Sequence, residues 1–337
     1  MNWKQIITGA AAWIAAAPFC WAQPARWQPV DSLFGPLPEG VEVYYSESPV
    51  EGKPNVAYYI SIPLRDRRLR FTTDTTKNRR LTPTGFYEKN GQPLVVVNGT
   101  FFEFTTHRNL NAVVKNGRLV SYNPHSFALR GKDTLLYAHP FRSAIGLTRR
   151  RNPDVAWLFT DSSKKFPFAL QVPVGDLKDS LQDFRLADAR TVTSVITAKG
   201  NRSLLRPWRM HTAIGGGPVL VQNGRVFITN DEERMFSGRA IDDRHPRTAM
   251  GFTADGRLII LVVQGRTPGE AEGVSLRHLA ELLTGVGCIE ALNLDGGGSS
   301  SLLINGKETI RPSDREGQRP VPGVFIIQQK RNKFAAR

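Results

Sequence analysis

The stretch NLDGGGSSS, residues 293–301, combines a carboxylate, a run of consecutive glycines and a run of hydroxyl side chains. Glycine has no side chain to bury and loses the most backbone freedom on folding, so such a run is costly unless another group approaches the backbone closely. Backbone amides in glycine-rich turns bind anions, and an aspartate beside them can act as acid, base or nucleophile. The stretch therefore predicts a site for a negatively charged ligand.

Three other segments, which we call corners, carry polar or glycine residues at the ends of strand-like runs of the sequence. VVVNGTFF ends a run with Asn98, HTAIGGGPVL places Gly215–Gly217 before a hairpin, and RHPRTAMG presents Arg247 and Thr248 where a run begins. An arginine supplies a fixed charge with paired donors that match a phosphate group. These corners favour a substrate that carries phosphate.

The run EALNLD, residues 290–295, sets the direction of the aspartate. A strand period of two places Leu292 and Leu294 on one face and Asn293 with Asp295 on the other. The pattern predicts that Asp295 points away from the core. Together with the other corners, it would suit a substrate that carries both phosphate and sugar.

Several common catalytic signatures are absent from the sequence. The histidines are scattered, with no H-E-x-x-H motif and no paired cysteines, which argues against a zinc site. GGGSSS departs from the nucleophile-elbow pattern, because Ser301 and not glycine stands two residues past Ser299. A strand, not a helix with Gly-Lys-Ser/Thr, follows the glycine run. The sequence thus predicts neither a metal nor a cofactor.

Short β-type runs that recur after residue 40 must position these corners. Several are joined by Asn-Gly or Asp-Gly turns, the pairs that supply the positive φ of tight hairpins. The turns are KNGR (115–118), QNGR (222–225), ADGR (254–257) and INGK (304–307). The sequence predicts an α+β fold with a largely antiparallel or mixed β-sheet, few helices and a single catalytic domain over residues 41–330.

One segment has a clear helical pattern. Ser275 is a capping residue, and Gly285 or Gly287 would end the helix. Its apolar stripe consists of Leu276, Leu279, Ala280, Leu282 and Leu283. Residues 160–210 are weakly patterned, and a short helix is predicted near DSLQDF (179–184).

The amino terminus has the layout of a secretory signal. Lys4 precedes an apolar run from Ile6 to Ala17, which is shorter than the roughly 20 residues that span a bilayer. We expect a signal peptide at residues 1–22, a Pro-rich arm at 23–40 and an extracytoplasmic location, periplasmic or secreted. Cleavage near Ala22 leaves Cys288 as the remaining thiol, so no internal disulfide is expected. No other apolar run is long enough to be transmembrane.

The formal net charge is +15, and much of it lies in RDRRLR (65–70), KNRR (77–80) and RRR (149–151). For an exported protein this charge favours anionic polymers and surfaces as partners. No aromatic-interleaved basic motif argues for nucleic acid. Association with surfaces through the basic runs stays open beside the alternative that they are solvated loops.

The glycine-rich stretch and its partner motifs resemble the phosphodiester glycosidase family. The matching segments, between about residues 90 and 328, are NGTFF (98–102), AIGGGPVLVQNGR (213–225), PRTAMG (246–251), GVSLRHLAEL (273–282), ALNLDGGGSSSLLINGK (291–307) and RPSD (311–314). The resemblance implies an exported hydrolase that splits a sugar from a phosphodiester at the anomeric carbon. It implies a sugar-phosphate or anionic glycan as substrate.

The resemblance also implies the site residues. Asp295 would be the catalytic carboxylate, Arg247 the phosphate clamp, Asn98 a further catalytic residue and Asp314 a possible second carboxylate. The implied substrate-binding residues are Thr248, Gly216, Gly217, Gly296, Gly297, Gly298, Ser299, Asn111, Glu103 and Gln264.

Gln264, in VVQGR, stands where the family often has an acid. An amide can both donate and accept, so Gln264 can still bind a sugar hydroxyl. Two alternatives stay open at this level. One is a non-catalytic module for anionic polysaccharide, and the other is a hydrolase of ordinary glycosidic or phosphodiester bonds on the same scaffold.

Overall fold

The computed structural model describes residues 25–180, 182, 194–196 and 199–330. The predicted signal peptide and three of the six residues of the DSLQDF segment, Leu181, Asp183 and Phe184, lie outside these residues. In chain order, the first strands are β1 Gln28–Pro29, β2 Glu42–Ser46, β3 Ala57–Pro63, β4 Leu69–Thr75, β5 Val95–Asn98, β6 Val113–Lys115, β7 Arg118–Ser121, β8 Phe127–Ala128, β9 Tyr137–Ala138, β10 Arg142–Leu147, β11 Pro153–Phe159, β12 Phe168–Leu170 and β13 Lys178–Asp179.

The remaining strands are β14 Ser194–Ile196, β15 Arg202–Leu204, β16 Arg206–Pro207, β17 Thr212–Gly215, β18 Val219–Gln222, β19 Arg225–Val226, β20 Arg247–Thr253, β21 Arg257–Val263, β22 Cys288–Asn293, β23 Leu302–Ile304, β24 Lys307–Glu308 and β25 Gly323–Gln329. The α-helices of the described chain are α1 Pro83–Lys89, α2 Asn230–Glu233 and α3 Leu276–Gly285, and its 3-10 turns are Asp31–Phe34, Gly131–Asp133, Gly238–Ile241 and Gly297–Ser299.

Three large sheets form the domain. Their strand orders are β1-β2-β3-β21-β20-β22-β18-β19, β16-β12-β11-β10-β17-β6-β7 and β24-β23-β5-β25-β4. The strands that pair within these sheets run antiparallel throughout. The predicted fold class, a mostly antiparallel β protein with few helices in one domain, is confirmed.

The alternation along β21 explains how the layers stack. Ile260 and Val262 point into the core between the sheets, whereas Ile259, Leu261 and Val263 point into a second core beneath α3. Both faces of this strand are buried, so its sequence is a continuous apolar run. The eight-stranded sheet is therefore covered on both sides.

The predicted helix is confirmed as α3. The Ser275 side chain accepts a hydrogen bond from the backbone of His278, and every residue of the predicted apolar stripe is buried. The four Asn-Gly and Asp-Gly segments each form the turn of a strand pair. Helix α1 was not predicted from the sequence; Thr82 caps its first turn and Pro83 occupies its start.

The beginning of the described chain lies against the first sheet. Gln28 and Pro29 pair with Tyr45 and Tyr44, and Phe34 is buried in the core. Residues 25–40 of the predicted arm are thus packed on the domain. Cys288 is a buried free thiol. Among the described residues, no helix is both long and apolar enough to cross a membrane.

Candidate active site

The Asn98 side chain joins three chain segments that are remote in sequence. Its Nδ2 donates to the carbonyl of Asp295 at 2.6 Å, and its Oδ1 accepts from Thr248 Oγ1 at 2.9 Å and from the Ser301 backbone at 3.0 Å. Asn98 is fully buried at the end of β5. The structure therefore brings together three of the predicted corners, and Asn98 holds the turn that carries the aspartate.

Asp295 follows β22 and lies half-buried at the end of the sheet. Leu292 and Leu294 point into the core, as the period of two predicts. Burial raises the pKa of Asp295 to about 7, and the Ser299 hydroxyl and the charge of Arg319 offset part of that rise. Such a carboxyl group can hold or release a proton near neutral pH.

The close approach predicted at the glycine run is made by arginines of the chain itself. A Cβ on Gly298 would collide with Arg319 Nη2 and with Asp314 Oδ1, and a Cβ on Gly297 would lie 2.9 Å from Arg266 Nη2. Gly297 also has a φ of 62°, which favours glycine. The missing side chains thus allow two guanidinium groups to lie directly over the turn.

Most backbone amides of this turn are already hydrogen-bonded. Gly296 donates to Asp295 Oδ1, Gly297 to the Pro246 carbonyl and Ser299 to the Gly296 carbonyl. An anion bound at this turn would therefore contact the guanidinium groups and not those amides. Because the glycines have no side chains, the guanidinium groups have space to lie over the turn.

Asp314 and Arg319 form a bidentate ion pair beside the turn. Arg319 Nε lies 2.7 Å from Asp314 Oδ2, and Nη2 lies 2.9 Å from Oδ1. The Arg319 guanidinium also lies 5.5 Å from the ring of Phe104. Asp314, the predicted second carboxylate, is at the site, where it fixes the direction of Arg319.

Gln264 lies next to the same loop. Its Oε1 accepts a hydrogen bond from the backbone of Arg311 at 2.9 Å, which ties the RPSD segment to the end of β21. Two residues further on, the exposed Arg266 adopts a φ of 62° and reaches over Gly297. Gln264 thus positions the loop from which Asp314 comes.

Arg247 is 3% exposed at the start of β20. Its Nε donates to the Val274 carbonyl at 3.0 Å and its Nη2 to the Asp243 carbonyl at 2.9 Å. Burial lowers the pKa of this guanidinium to about 10. The hydrogen bonds make Arg247 a brace for the preceding loop, and its role as the phosphate clamp stays a prediction.

Gly216, Gly217 and Asn111 lie behind the site, in the packing between sheets. Asn111 Nδ2 donates to the Gly216 carbonyl at 2.8 Å, and the Gly216 and Gly217 amides donate to the carbonyls of Ser143 and Asn293. Both amides are thus engaged in hydrogen bonds within the protein. Substrate binding by these three residues stays a prediction.

Glu103 lies in the loop after β5, away from the hydrogen bonds of Asn98. Its carboxylate accepts from the backbone amides of Thr105 and Thr106, and these bonds lower its pKa to about 2. Glu103 organises its own loop through these bonds.

Arg266 and Arg319 were not predicted from the sequence as site residues. Both stand outside the motif cores, in QGR and in the segment after RPSD, and only their excess charge beside glycine-rich corners could have indicated them. The Oγ atoms of Ser300 and Ser313 are buried without a hydrogen-bond partner among the described residues.

The fold and site together define a class of protein. It is a single-domain, mostly antiparallel β protein with an acid group of near-neutral pKa beside two arginines, which suits acid–base chemistry on an anionic ligand. Within the described part of the chain, no group of three or more His, Cys, Asp or Glu side chains could hold a metal ion.

Residues 171–328 match the family model described as phosphodiester glycosidase. The bovine N-acetylglucosamine-1-phosphodiester alpha-N-acetylglucosaminidase is 36% identical over 109 residues, which cover 30% of this chain and 20% of the bovine protein. The mouse protein of the same name is 30% identical over 143 residues, covering 40% of this chain and 27% of the mouse protein. The chain thus spans a fifth to about a quarter of these relatives.

Two solved structures share the fold. The zebrafish N-acetylglucosamine-1-phosphodiester alpha-N-acetylglucosaminidase catalytic domain, auto-inhibited by its pro-peptide, superposes with a TM-score of 0.57 at 17% identity, covering 90% of this chain and 88% of that domain. A putative exported protein of Burkholderia pseudomallei gives a TM-score of 0.56 at 16% identity, covering 84% of this chain and 75% of that protein.

Proposed function

We propose that the protein is an exported hydrolase that cleaves a sugar from a glycosyl-1-phosphodiester at the anomeric carbon. The match of residues 171–328 to the phosphodiester glycosidase family supports the reaction class, and the bovine and mouse relatives carry names that specify a sugar-1-phosphodiester. The observation that carries the proposal is the position of Asp295 relative to the two arginines. A carboxyl group with a pKa near 7 lies beside a turn over which Arg266 and Arg319 extend.

In the proposed reaction, Arg266 and Arg319 hold the phosphodiester. The ionised Asp295 stabilises the positive charge that develops at the anomeric carbon. Water adds to that carbon as its bond to the phosphate oxygen breaks, the bonding electrons leave with the phosphate, and the proton that the added water loses passes to solvent. The products are a free sugar and a phosphomonoester. Because a phosphate leaving group is already acidic, it needs little protonation, so a single carboxylate can serve.

The bond that breaks can be identified with labelled water. The mature chain is incubated in H₂¹⁸O with a small panel of sugar-1-phosphodiesters, and the products are analysed by mass spectrometry. Cleavage at carbon places ¹⁸O in the anomeric hydroxyl of the sugar. Label in the phosphate would instead identify a phosphodiesterase and overturn the proposal.

Asp295→Asn is the matched control for this assay. It should bind the same diesters while releasing no sugar above background. If the unsubstituted chain binds the panel without turnover, the protein is a binding module and not a hydrolase.

Export is part of the same proposal. It rests on Lys4 and the apolar run from Ile6 to Ala17. Amino-terminal sequencing of protein from the native host should give a mature chain that begins near Gln23. A chain that still begins with Met1 would contradict export through this signal.

A further inference from the structure

Two basic runs that are remote in sequence meet on one surface. The segments RDRRLR and RRR line an open recess with a volume of about 630 Å³. Its lining consists of Arg65, Arg67, Arg149, Arg150, Arg151 and Asn152. A second recess, of about 360 Å³, shares Arg149 and Arg151 with the first and adds Arg70, His211 and Lys330. We name the two recesses together the arginine groove.

Arg151 fixes the shape of the arginine groove. Its Nη1 donates to the carbonyl of Leu64 at 3.2 Å and its Nη2 to that of Leu69 at 2.6 Å, while its guanidinium lies 5.6 Å from the ring of Phe71. These contacts bind the β10–β11 turn to the loop that precedes β4. The two basic runs are thus held together by a half-buried side chain.

The exposed arginines of the groove lack acidic partners. The Asp66 carboxylate in the same loop is bound by Arg68, whose Nη2 lies 2.9 Å from it. Arg65, Arg67 and Arg149 form no ion pair with any carboxylate of the described chain, and the same holds for Arg150. Four charges are therefore available to a ligand.

The local field in the groove is strongly positive. Burial lowers the pKa of His211, and the charges of Arg149 and Arg70 lower it further. A concave surface lined by charge of one sign attracts and concentrates ligands of the opposite charge.

The arginine groove is separate from the candidate active site. At one end of β25, Gly323 accepts a hydrogen bond from Gly99, next to Asn98. At the other end, the Lys330 backbone donates to the Arg68 carbonyl. With a rise of about 3.3 Å per residue, the strand separates the two ends by roughly 20 Å.

We propose that the arginine groove binds an anionic polysaccharide. Two concave recesses that adjoin through Arg149 and Arg151 suit an extended chain better than the flat surface of a bilayer. Among Phe, Tyr and Trp the lining contains only Phe71, which is 6% exposed and covered by Arg151, so none of these rings is available to stack on a nucleic-acid base. The remaining lining offers guanidinium groups, which match carboxylate, sulfate or phosphate groups spaced along a glycan.

The test measures binding of fluorescently labelled dextran sulfate, polygalacturonate and neutral dextran of matched length by anisotropy, at low and physiological salt. The protein should bind the two anionic polymers and not the neutral one, with weaker binding at higher salt. A variant with Arg65→Gln, Arg67→Gln, Arg149→Gln and Arg150→Gln should lose affinity on the order of 100-fold. Its melting temperature reports whether the fold is intact.

A control variant removes the same net charge elsewhere on the surface, through Arg130→Gln, Arg206→Gln, Arg225→Gln and Arg277→Gln. It should bind as the unsubstituted protein does. An equal loss in the control, or no binding of either anionic polymer, would overturn the proposal. So would at least tenfold tighter binding of an oligonucleotide, or of vesicles that contain anionic lipid.

Discussion

The Asn98 side chain donates to the backbone carbonyl of Asp295 at 2.6 Å, across 197 positions of the sequence. This bond connects the end of a buried strand to the residue with the raised pKa. The orientation of Asp295 therefore depends on the side-chain amide of Asn98, which is fully buried.

Asn98→Ala should therefore impair stability and activity together. The substitution leaves the Asp295 carbonyl and the Thr248 hydroxyl without their buried partner, at a cost of roughly 2–4 kcal/mol in the free energy of unfolding. Chemical denaturation and turnover of a sugar-1-phosphodiester measure the two effects. A variant of full stability and activity would show that Asn98 does not hold the turn.

Asp295→Asn should lower turnover roughly 10²- to 10⁴-fold while substrate affinity changes little. The amide keeps the size of the side chain but carries no charge. Comparison of kcat with the dissociation constant of a non-hydrolysed analogue separates the two quantities. An active Asp295→Asn enzyme would move the catalytic carboxylate elsewhere, with Asp314 the next candidate.

The same substitution should alter the pH dependence of stability. The native pKa of Asp295, about 7, lies above the ordinary value of 3.8, so the native state keeps a proton that the unfolded state has lost. Stability from this group is present at acidic pH and is lost as pH rises towards 7. Relative to the Asn variant, the unsubstituted protein should lose a few kcal/mol between pH 4 and 7. Parallel stability–pH curves would contradict this pKa.

The rate of the proposed reaction should rise with pH and level off above about pH 7, because the ionised form of Asp295 is the active one. Arg319→Gln removes a positive charge that favours that form, so the midpoint of the profile should move to higher pH. Profiles of kcat/KM for the two proteins provide the measurement. An unshifted midpoint would place Arg319 too far from Asp295 to act on it.

Substrate charge should distinguish the three arginines. Arg266→Gln and Arg319→Gln should weaken turnover of a phosphodiester far more than that of a neutral aryl glycoside. Arg247→Lys should reduce both alike, through lost hydrogen bonds to backbone carbonyls and lower stability. If Arg247→Lys instead affects the charged substrate selectively, the sequence-based role of Arg247 as phosphate clamp is correct.

Glu233 should stabilise the fold. Its buried carboxylate accepts hydrogen bonds from the Ser143 backbone and hydroxyl, Trp157 Nε1, the Val219 backbone and Thr229 Oγ1. Glu233→Gln turns an NH₂ group towards some of these donors, which should lower the free energy of unfolding by roughly 2–4 kcal/mol.

The neighbouring Glu232→Gln serves as the control for Glu233→Gln. Glu232 is partly exposed and is not part of the network, so its substitution should change stability by no more than about 0.5 kcal/mol. Denaturation midpoints compare the two. Equal midpoints would mean that the buried network adjusts to an amide.

Local patterns were sufficient to predict the hairpins and α3. Asn116 and Asn223 adopt the positive φ that the turn chemistry requires, and Ser275 caps the helix as its position indicates. These features depend on neighbours in sequence. Three of the four corners, those of Asn98, Thr248 and Asp295, lie at strand termini and meet in the structure, whereas the Gly216–Gly217 corner lies behind the site.

Features that depend on tertiary packing were not accessible from sequence. Arg247 at the start of a strand has the same local pattern whether it faces a ligand or lies 3% exposed against carbonyl groups. The glycine run indicates close approach but does not identify the approaching group, and in the structure that group is a pair of arginines. Arg266 and Arg319 reach the turn from separate loops, so no spacing along the chain connects them.

The position of β25 constrains how the molecule forms. This strand is the last of the described chain, yet it lies inside its sheet, between β5 and β4, where it pairs with Asn98 and Thr75. During synthesis, β4 and the edge of β5 that β25 will occupy stay unpaired until more than two hundred further residues have left the ribosome. Folding of this sheet is consequently a late, high-contact-order event, and premature termination before β25 would yield a chain with two open strand edges prone to aggregation.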